Sequence, residues 1–193
     1  MTNNKRTKLV YNTASSFVLQ LSNYVVPLLI LPYLAQQIGI EGFGIIAFSQ
    51  SFALLVSVIP EYGFGLTATR RIAKNVNDKS ILKKTISTII VLKGVLTLFG
   101  LLLYTASFWI VPLFQNAPLF YYSSAILFIS YALNFDWYFY GVEKLHNLAL
   151  IQAISKLLMV LMVYLTIVDY YSSHYYLIYL ALSNLGVSLF SLT

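Results

Sequence analysis

The stretch LVYNTASSFVLQLSNYVVPLLILPYLAQQIGI, residues 9–40, runs 32 positions between Lys8 and Glu41 without a charged side chain. A helix needs about 20 mostly apolar residues to cross a hydrocarbon core of roughly 30 Å, with its peptide groups bonded internally. Similar runs recur down the chain and predict six spans: 9–38, 44–64, 85–111, 119–141, 145–168 and 174 to the C-terminus. The fold class expected is all-α, a polytopic transmembrane helical bundle of about six spans. Residues 1–193 form a single transmembrane domain, and residues 66–84 form its one long polar loop.

Composition excludes the main alternatives. With 59% hydrophobic and 9% charged residues, 193 residues carry too little polar surface to coat a water-soluble globule. The net charge of +6 does not point to nucleic acid, because the basic residues flank spans and form no stripe with interleaved aromatics. There is no cysteine for a disulfide or thiolate metal site, and His146 and His174 lack ligand spacing. Lys5, Arg6 and Lys8 mimic the start of a secretory signal, but the apolar run behind them far exceeds a cleavable segment of about 7–15 residues.

The basic residues also orient the bundle. Lys and Arg number three before the first span and six between the second and third (Arg70, Arg71, Lys74, Lys79, Lys83, Lys84). Lys144 stands alone between the fourth and fifth, and the alternate gaps hold none. Positive loops stay on the cytoplasmic side, so both termini are predicted inside. Trp137, Tyr138 and Tyr140 fall at the inner border, and Trp109, Tyr121, Tyr122, Tyr170, Tyr171, Tyr175 and Tyr176 at the outer one, where amphipathic rings anchor a span. Within the polar loop, residues 80–84 are predicted to form a short amphipathic helix on the inner leaflet.

Lys93 and Lys156 are the only lysines or arginines inside predicted spans, each about 8–11 residues, or about 12–16 Å, beyond its cytoplasmic end. A cation at that depth costs at least about 2.5 kcal/mol on insertion scales unless it reaches the interface or faces an anion in a wet cavity. Glu61 and Asp136 sit at the inner ends of neighbouring spans as candidate ion-pair or gating partners, with interfacial solvation as the plainer reading. Asn12, Ser16, Gln20 and Asn23 fall on one face of the first span; Gln50, Ser57 and Glu61 share a face of the second; Gln152 and Lys156 share one of the fifth. Interhelical hydrogen bonding accounts for such faces, as does a hydrated cavity, and the two lysines favour the cavity. The candidate cavity residues are therefore Lys93, Lys156, Asn12, Gln20, Gln50 and Gln152.

Pro27, Pro32 and Pro60 permit bends in the first two spans. The glycines around 39–44 and 63–65 read as border turns, since no strand precedes them and no Gly-Lys-Ser/Thr follows. Paired carboxylates on one outer loop, a nucleophile with a histidine base and a metal set are all lacking, so neither enzymatic chemistry nor a cofactor is expected.

Particular residues carry a resemblance. Pro32-Tyr33-Leu34 followed by Gly39 and Gly42-Phe43-Gly44, then the run from Gly63 through Thr67-Ala68-Thr69-Arg70, then Asp136-Trp137-Tyr138-Phe139-Tyr140-Gly141-Val142-Glu143-Lys144, resemble the amino-terminal half of bacterial polysaccharide-biosynthesis flippases. These are the O-antigen and capsule repeat-unit transporters of the multidrug/oligosaccharidyl-lipid/polysaccharide exporter superfamily. The resemblance implies translocation of an undecaprenyl-diphosphate-linked oligosaccharide by alternating access in the bacterial cytoplasmic membrane, without a cofactor. It makes the glycine turns, the segment ending at Arg70 and the segment from Trp137 to Lys144 structural or gating elements. It also implies as partners the lipid-linked oligosaccharide, membrane lipids, a carboxy-terminal lobe, and a polysaccharide polymerase or glycosyltransferases. Members usually carry about twice as many spans, so the chain reads as a fragment, a truncated reading frame, or one lobe awaiting its partner. An organic-cation exporter of the same superfamily and a membrane-embedded glycosyltransferase or assembly scaffold are the competing readings.

Overall fold

A computed structural model describes the backbone of residues 2–76 and 78–190 and the side chains of residues 13–76, 78–186 and 188. The described residues form eight helices: α1 Thr2–Glu61, α2 Phe64–Lys74, α3 Lys79–Ile110, α4 Pro112–Asn116, α5 Pro118–Ala132, α6 Asp136–Gly141, α7 Leu145–Thr166 and α8 Tyr175–Phe190. Three segments, Thr13–Glu61, Lys79–Ile110 and Leu145–Thr166, are long and apolar enough to cross a membrane. The chain is thus an all-α, multi-pass membrane protein.

Side-chain pairings show that α1 is two antiparallel arms. Asn23, Leu29 and Tyr33 on its first arm meet Lys156, Tyr164 and Ile167 in rising order, so that arm runs parallel to α7. Phe120 meets Tyr170 while Asp136 meets Gln152, so α5 and α6 run against α7. Tyr104 bonds Ser124 at 2.6 Å and Gly100 faces Phe128, so α3 also opposes α5 and is parallel to α7. Phe52 meets Tyr104 edge to face and Glu61 reaches Lys93, which makes the second arm antiparallel to α3 and hence to the first arm. The reversal falls at Gly39, with φ 72 and ψ 175, a region essentially restricted to glycine. Gly39→Ala is therefore expected to cost about 1–3 kcal/mol, read as a lower melting temperature in detergent, although a methyl there meets nothing within 4 Å. Gly44→Ala, in helical backbone and equally open space, is the matched control and should not destabilise.

Two expectations need correction. The span predicted over 119–141 is broken: α5 ends at Ala132, residues 133–135 are not helical, and α6 restarts at Asp136. Asn134 and Asp136 cause this, because short polar side chains bond neighbouring backbone in place of the helix ladder; the Asn134 carboxamide accepts from the Asp136 N–H at 2.8 Å. The separate amphipathic helix predicted at 80–84 is instead the first turn of α3, started by Asp78, whose carboxylate accepts from the N–H groups of Ser80 at 3.0 Å and Ile81 at 3.1 Å. The amphipathic helix of that region is α2, which buries Ala68 and Ile72 and exposes Arg70, Arg71 and Lys74.

α5 is the central element, burying Leu127, Phe128, Ser124 and Ser130 against α1, α3 and α8. Two smaller clusters fix the short α6: Ala68, Ile72, Ile89 and Trp137 on one side, and Leu19, Phe139, Leu148 and Ala149 on the other. A Cβ on Gly141 would lie 2.7 Å from Ile72, so the absence of a side chain there sets how closely α2 approaches α6. At the opposite end, Asp169 closes the turn into α8. The Ser172 hydroxyl and then its N–H bond that carboxylate and hold it below the usual range.

Candidate functional site

The pairings that orient the helices also set a level. Asn23, Glu61, Lys93, the 133–135 break, Asp136, Gln152 and Lys156 meet in one layer toward the end of the bundle that carries the basic α2. Non-helical backbone at such depth persists only where protein encloses it or where it borders a polar cavity. Both conditions hold here. The Lys93 ammonium donates to the Asn134 carbonyl at 3.0 Å, satisfying a main-chain oxygen that the break releases. On the other side of the break lie two cavities that share Asn134 and Asp136 as a common wall.

The first cavity, of about 400 Å³, is lined by Glu61, Thr69, Trp137 and Tyr140 besides the shared pair. The second, of about 150 Å³, is lined by Asn23, Tyr131, Gln152, Lys156, Ser183 and Asn184 besides that pair. Asp136 Oδ2 accepts from Asn134 Nδ2 at 3.1 Å and from Gln152 Nε2 at 3.2 Å. Its other oxygen is buried without a partner among the described residues. Both lysines lie within electrostatic reach of this carboxylate.

The two lysines are in different situations. Lys93 is 5% exposed, with its ammonium committed to the Asn134 carbonyl and Glu61 Oε1 at 4.0 Å. Lys156 is half-buried, opens on the second cavity, and donates to the side-chain oxygen of Asn23, a neutral group. It is a cation whose hydrogen-bond partner carries no opposing charge.

Among the other residues marked in the sequence, Gln152 joins this layer through Asp136, and Gln50 bonds Tyr131 on the wall of the second cavity. Gln20 is exposed on the first arm, and Arg70 is exposed on α2 and lines neither cavity. The side chain of Asn12 lies outside the described residues. Asn23 enters from the sequence only through the polar stripe and Thr69 only through the motif ending at Arg70, while Asn134, Tyr131, Ser183 and Asn184 carry no sequence signal of a site by themselves. The available signal was Asn134-Phe135-Asp136, two helix-breaking polar residues interrupting an otherwise apolar run.

Fold and site together define a polytopic helical membrane bundle with a lysine-bearing polar chamber. The chain belongs to the polysaccharide biosynthesis protein family, whose model matches residues 9–193. It is 34% identical over 155 residues to an Escherichia coli protein named "Putative O-antigen transporter", a match covering 80% of this chain and 37% of that protein. A Shigella dysenteriae protein of the same name is 31% identical over 151 residues, covering 78% of this chain and 38% of the relative. The chain thus spans less than two fifths of the length of the curated relatives it matches. No solved structure matches it.

Proposed function

We propose that this chain is the amino-terminal lobe of a flippase that moves an undecaprenyl-diphosphate-linked oligosaccharide repeat unit from the cytoplasmic to the outer leaflet of the bacterial cytoplasmic membrane. The observation that carries the reading is the Lys156 ammonium, held by a neutral amide in a polar cavity within the bundle. A diphosphate is a stronger acceptor than an amide oxygen, so cargo entering the cavity takes the ammonium from Asn23. That exchange releases the tie between the first arm of α1 and α7, and binding is thereby linked to helix movement. Family membership and the names of the two relatives support the same cargo class, and translocation requires no covalent chemistry.

The N-terminus and the basic α2 lie on the cytoplasmic side in this reading, which puts the polar layer near the leaflet where the cargo is loaded. Alternating access requires a second lobe, supplied by further sequence or a partner chain. The test is the full-length protein in proteoliposomes loaded with a labelled polyprenyl-diphosphate glycan. Label should become accessible on the opposite leaflet, and label that stays where it was placed overturns the proposal. A second reading, organic-cation export, draws on Glu61 and Asp136 in the first cavity. It predicts cation resistance in cells that Glu61→Gln abolishes.

A further inference from the structure

We infer that the groove along the opening turns of α3 holds one anionic phospholipid, with its phosphate at Lys79 and Lys83 and an acyl chain on Leu82, Ile86, Ile90 and Val91. The site is separate from the polar layer and stands without the transport reading.

The groove has a volume of about 400 Å³, and its lining recurs at steps of three and four, one face of a single helix. Height along α3 decides what each residue meets. The helix has 32 residues and rises about 48 Å against a hydrocarbon core of about 30 Å, so about 9 Å projects at each end. Trp109, 78% exposed near the far end, marks the opposite border, where indoles anchor. Lys79 and Lys83 occupy the first 6 Å or so and stand in the headgroup layer, while Ile86, Ile90 and Val91 begin about 10 Å along, in hydrocarbon. The exposed Ser87 hydroxyl falls at the border, level with the glycerol esters, and can donate to a carbonyl there.

Charge and length choose the occupant. No carboxylate lines the groove, and the neighbouring Asp78 is engaged by the N–H groups of Ser80 and Ile81. Two ammonium groups at headgroup height fit a phosphodiester. A partner helix would have to bury both lysines against protein, which is costly unless it brought carboxylates of its own. From Lys79 to Val91 the groove runs about 18 Å and ends within one leaflet. A phospholipid matches that length, whereas a long isoprenoid tail would leave most of itself outside. Leu82 and Ile86 also pack on the cluster of Ala68, Ile72, Ile89 and Trp137 that joins α2 to α6. An acyl chain on their open side covers that cluster and steadies the basic end of the bundle.

The test titrates purified, delipidated full-length protein with dioleoylphosphatidylglycerol and dioleoylphosphatidylcholine, counting bound lipid by native mass spectrometry. The acyl chains are identical, so the difference reads the headgroup. The first phosphatidylglycerol should bind about 30-fold more tightly than phosphatidylcholine, roughly fivefold for each lysine. Lys79→Gln combined with Lys83→Gln should cut that gap to less than about threefold. Lys74→Gln combined with Lys84→Gln removes the same charge outside the groove and should leave the gap unchanged. Val91→Trp keeps both lysines, adds bulk to the groove and should weaken phosphatidylglycerol. All five side chains are exposed, so these changes spare the core. Equal losses from the two lysine pairs would reveal diffuse attraction to a basic surface and overturn the site, as would the absence of any gap. Competition by glycerol 3-phosphate would reduce it to an ion site without a chain groove, and tighter binding of geranylgeranyl diphosphate through Lys79 and Lys83 would reassign it to isoprenoid cargo; either result overturns the proposal.

Discussion

Lys156→Gln is expected to lower export of surface polysaccharide by about 10- to 100-fold while leaving the amount of protein in the membrane near wild type. The magnitude follows from removing one charge-assisted hydrogen bond to phosphate in a partly enclosed site, worth about 1.5–3 kcal/mol. Glutamine is the informative substitution because its amide can still donate to Asn23 Oδ1, keeping the tie between α1 and α7 while discarding the charge. Lys156→Ala removes both, and should lower export similarly with some loss of abundance. Lys156→Arg keeps the charge and should retain part of the activity, limited by a planar guanidinium in a cavity of about 150 Å³. The measurement is surface polysaccharide in a strain lacking its own transporter, normalised to membrane protein by immunoblot. Full export by Lys156→Gln would show that the ammonium serves only as a tie between helices.

The all-α membrane bundle was legible in the sequence, and the break between α5 and α6 was not. The charge-free run predicted over 145–168 lies close to α7, Leu145–Thr166, because excluding ionised groups from hydrocarbon is a strong constraint expressed residue by residue, whereas the runs 9–38 and 44–64 fall within a single α1 that begins at Thr2. Gly39 was legible as a turn, though not the left-handed φ that makes it the point of reversal between two arms. The run 119–141 looked like one span because hydropathy averages over Asn134 and Asp136, two polar residues among many apolar ones. What the average loses is that the Asn134 side chain accepts from the Asp136 N–H and donates to the Asp136 carboxylate, a geometric event. For a different reason, the roles of Lys93 and Lys156 could not be separated from sequence. Depth marked both alike, and the difference lies in the partner each meets across more than 40 and more than 130 positions of chain, Asn134 and Asn23. The same long separation hid the cavity wall formed by Ser183 and Asn184, which read as ordinary polar residues in the last span.

Lys93→Ala should act on the fold first. Its ammonium satisfies the Asn134 carbonyl at 3.0 Å and lies 4.0 Å from Glu61, so removing it orphans a main-chain oxygen in a low-dielectric layer. That loss costs about 1–3 kcal/mol. Deleting the buried stem adds a cavity term, while relief from burying a charge offsets part of the sum, leaving a net destabilisation of about 2–4 kcal/mol. For a bundle of this length that corresponds to a fall of roughly 5–15 °C in melting temperature. Lys93→Met separates the contributions: it retains most of the apolar stem and loses the donor, so its fall should be smaller than that of alanine. Glu61→Gln should barely move the melting temperature, since that carboxylate is half-exposed and pairs only loosely. Export by Lys93→Met should then decline in step with abundance, because the lysine holds the α5–α6 break in place and through it positions Asp136 between the two cavities. An unchanged melting temperature combined with abolished export would assign the Lys93 ammonium directly to cargo, and would require the Asn134 carbonyl to have another donor in the working protein.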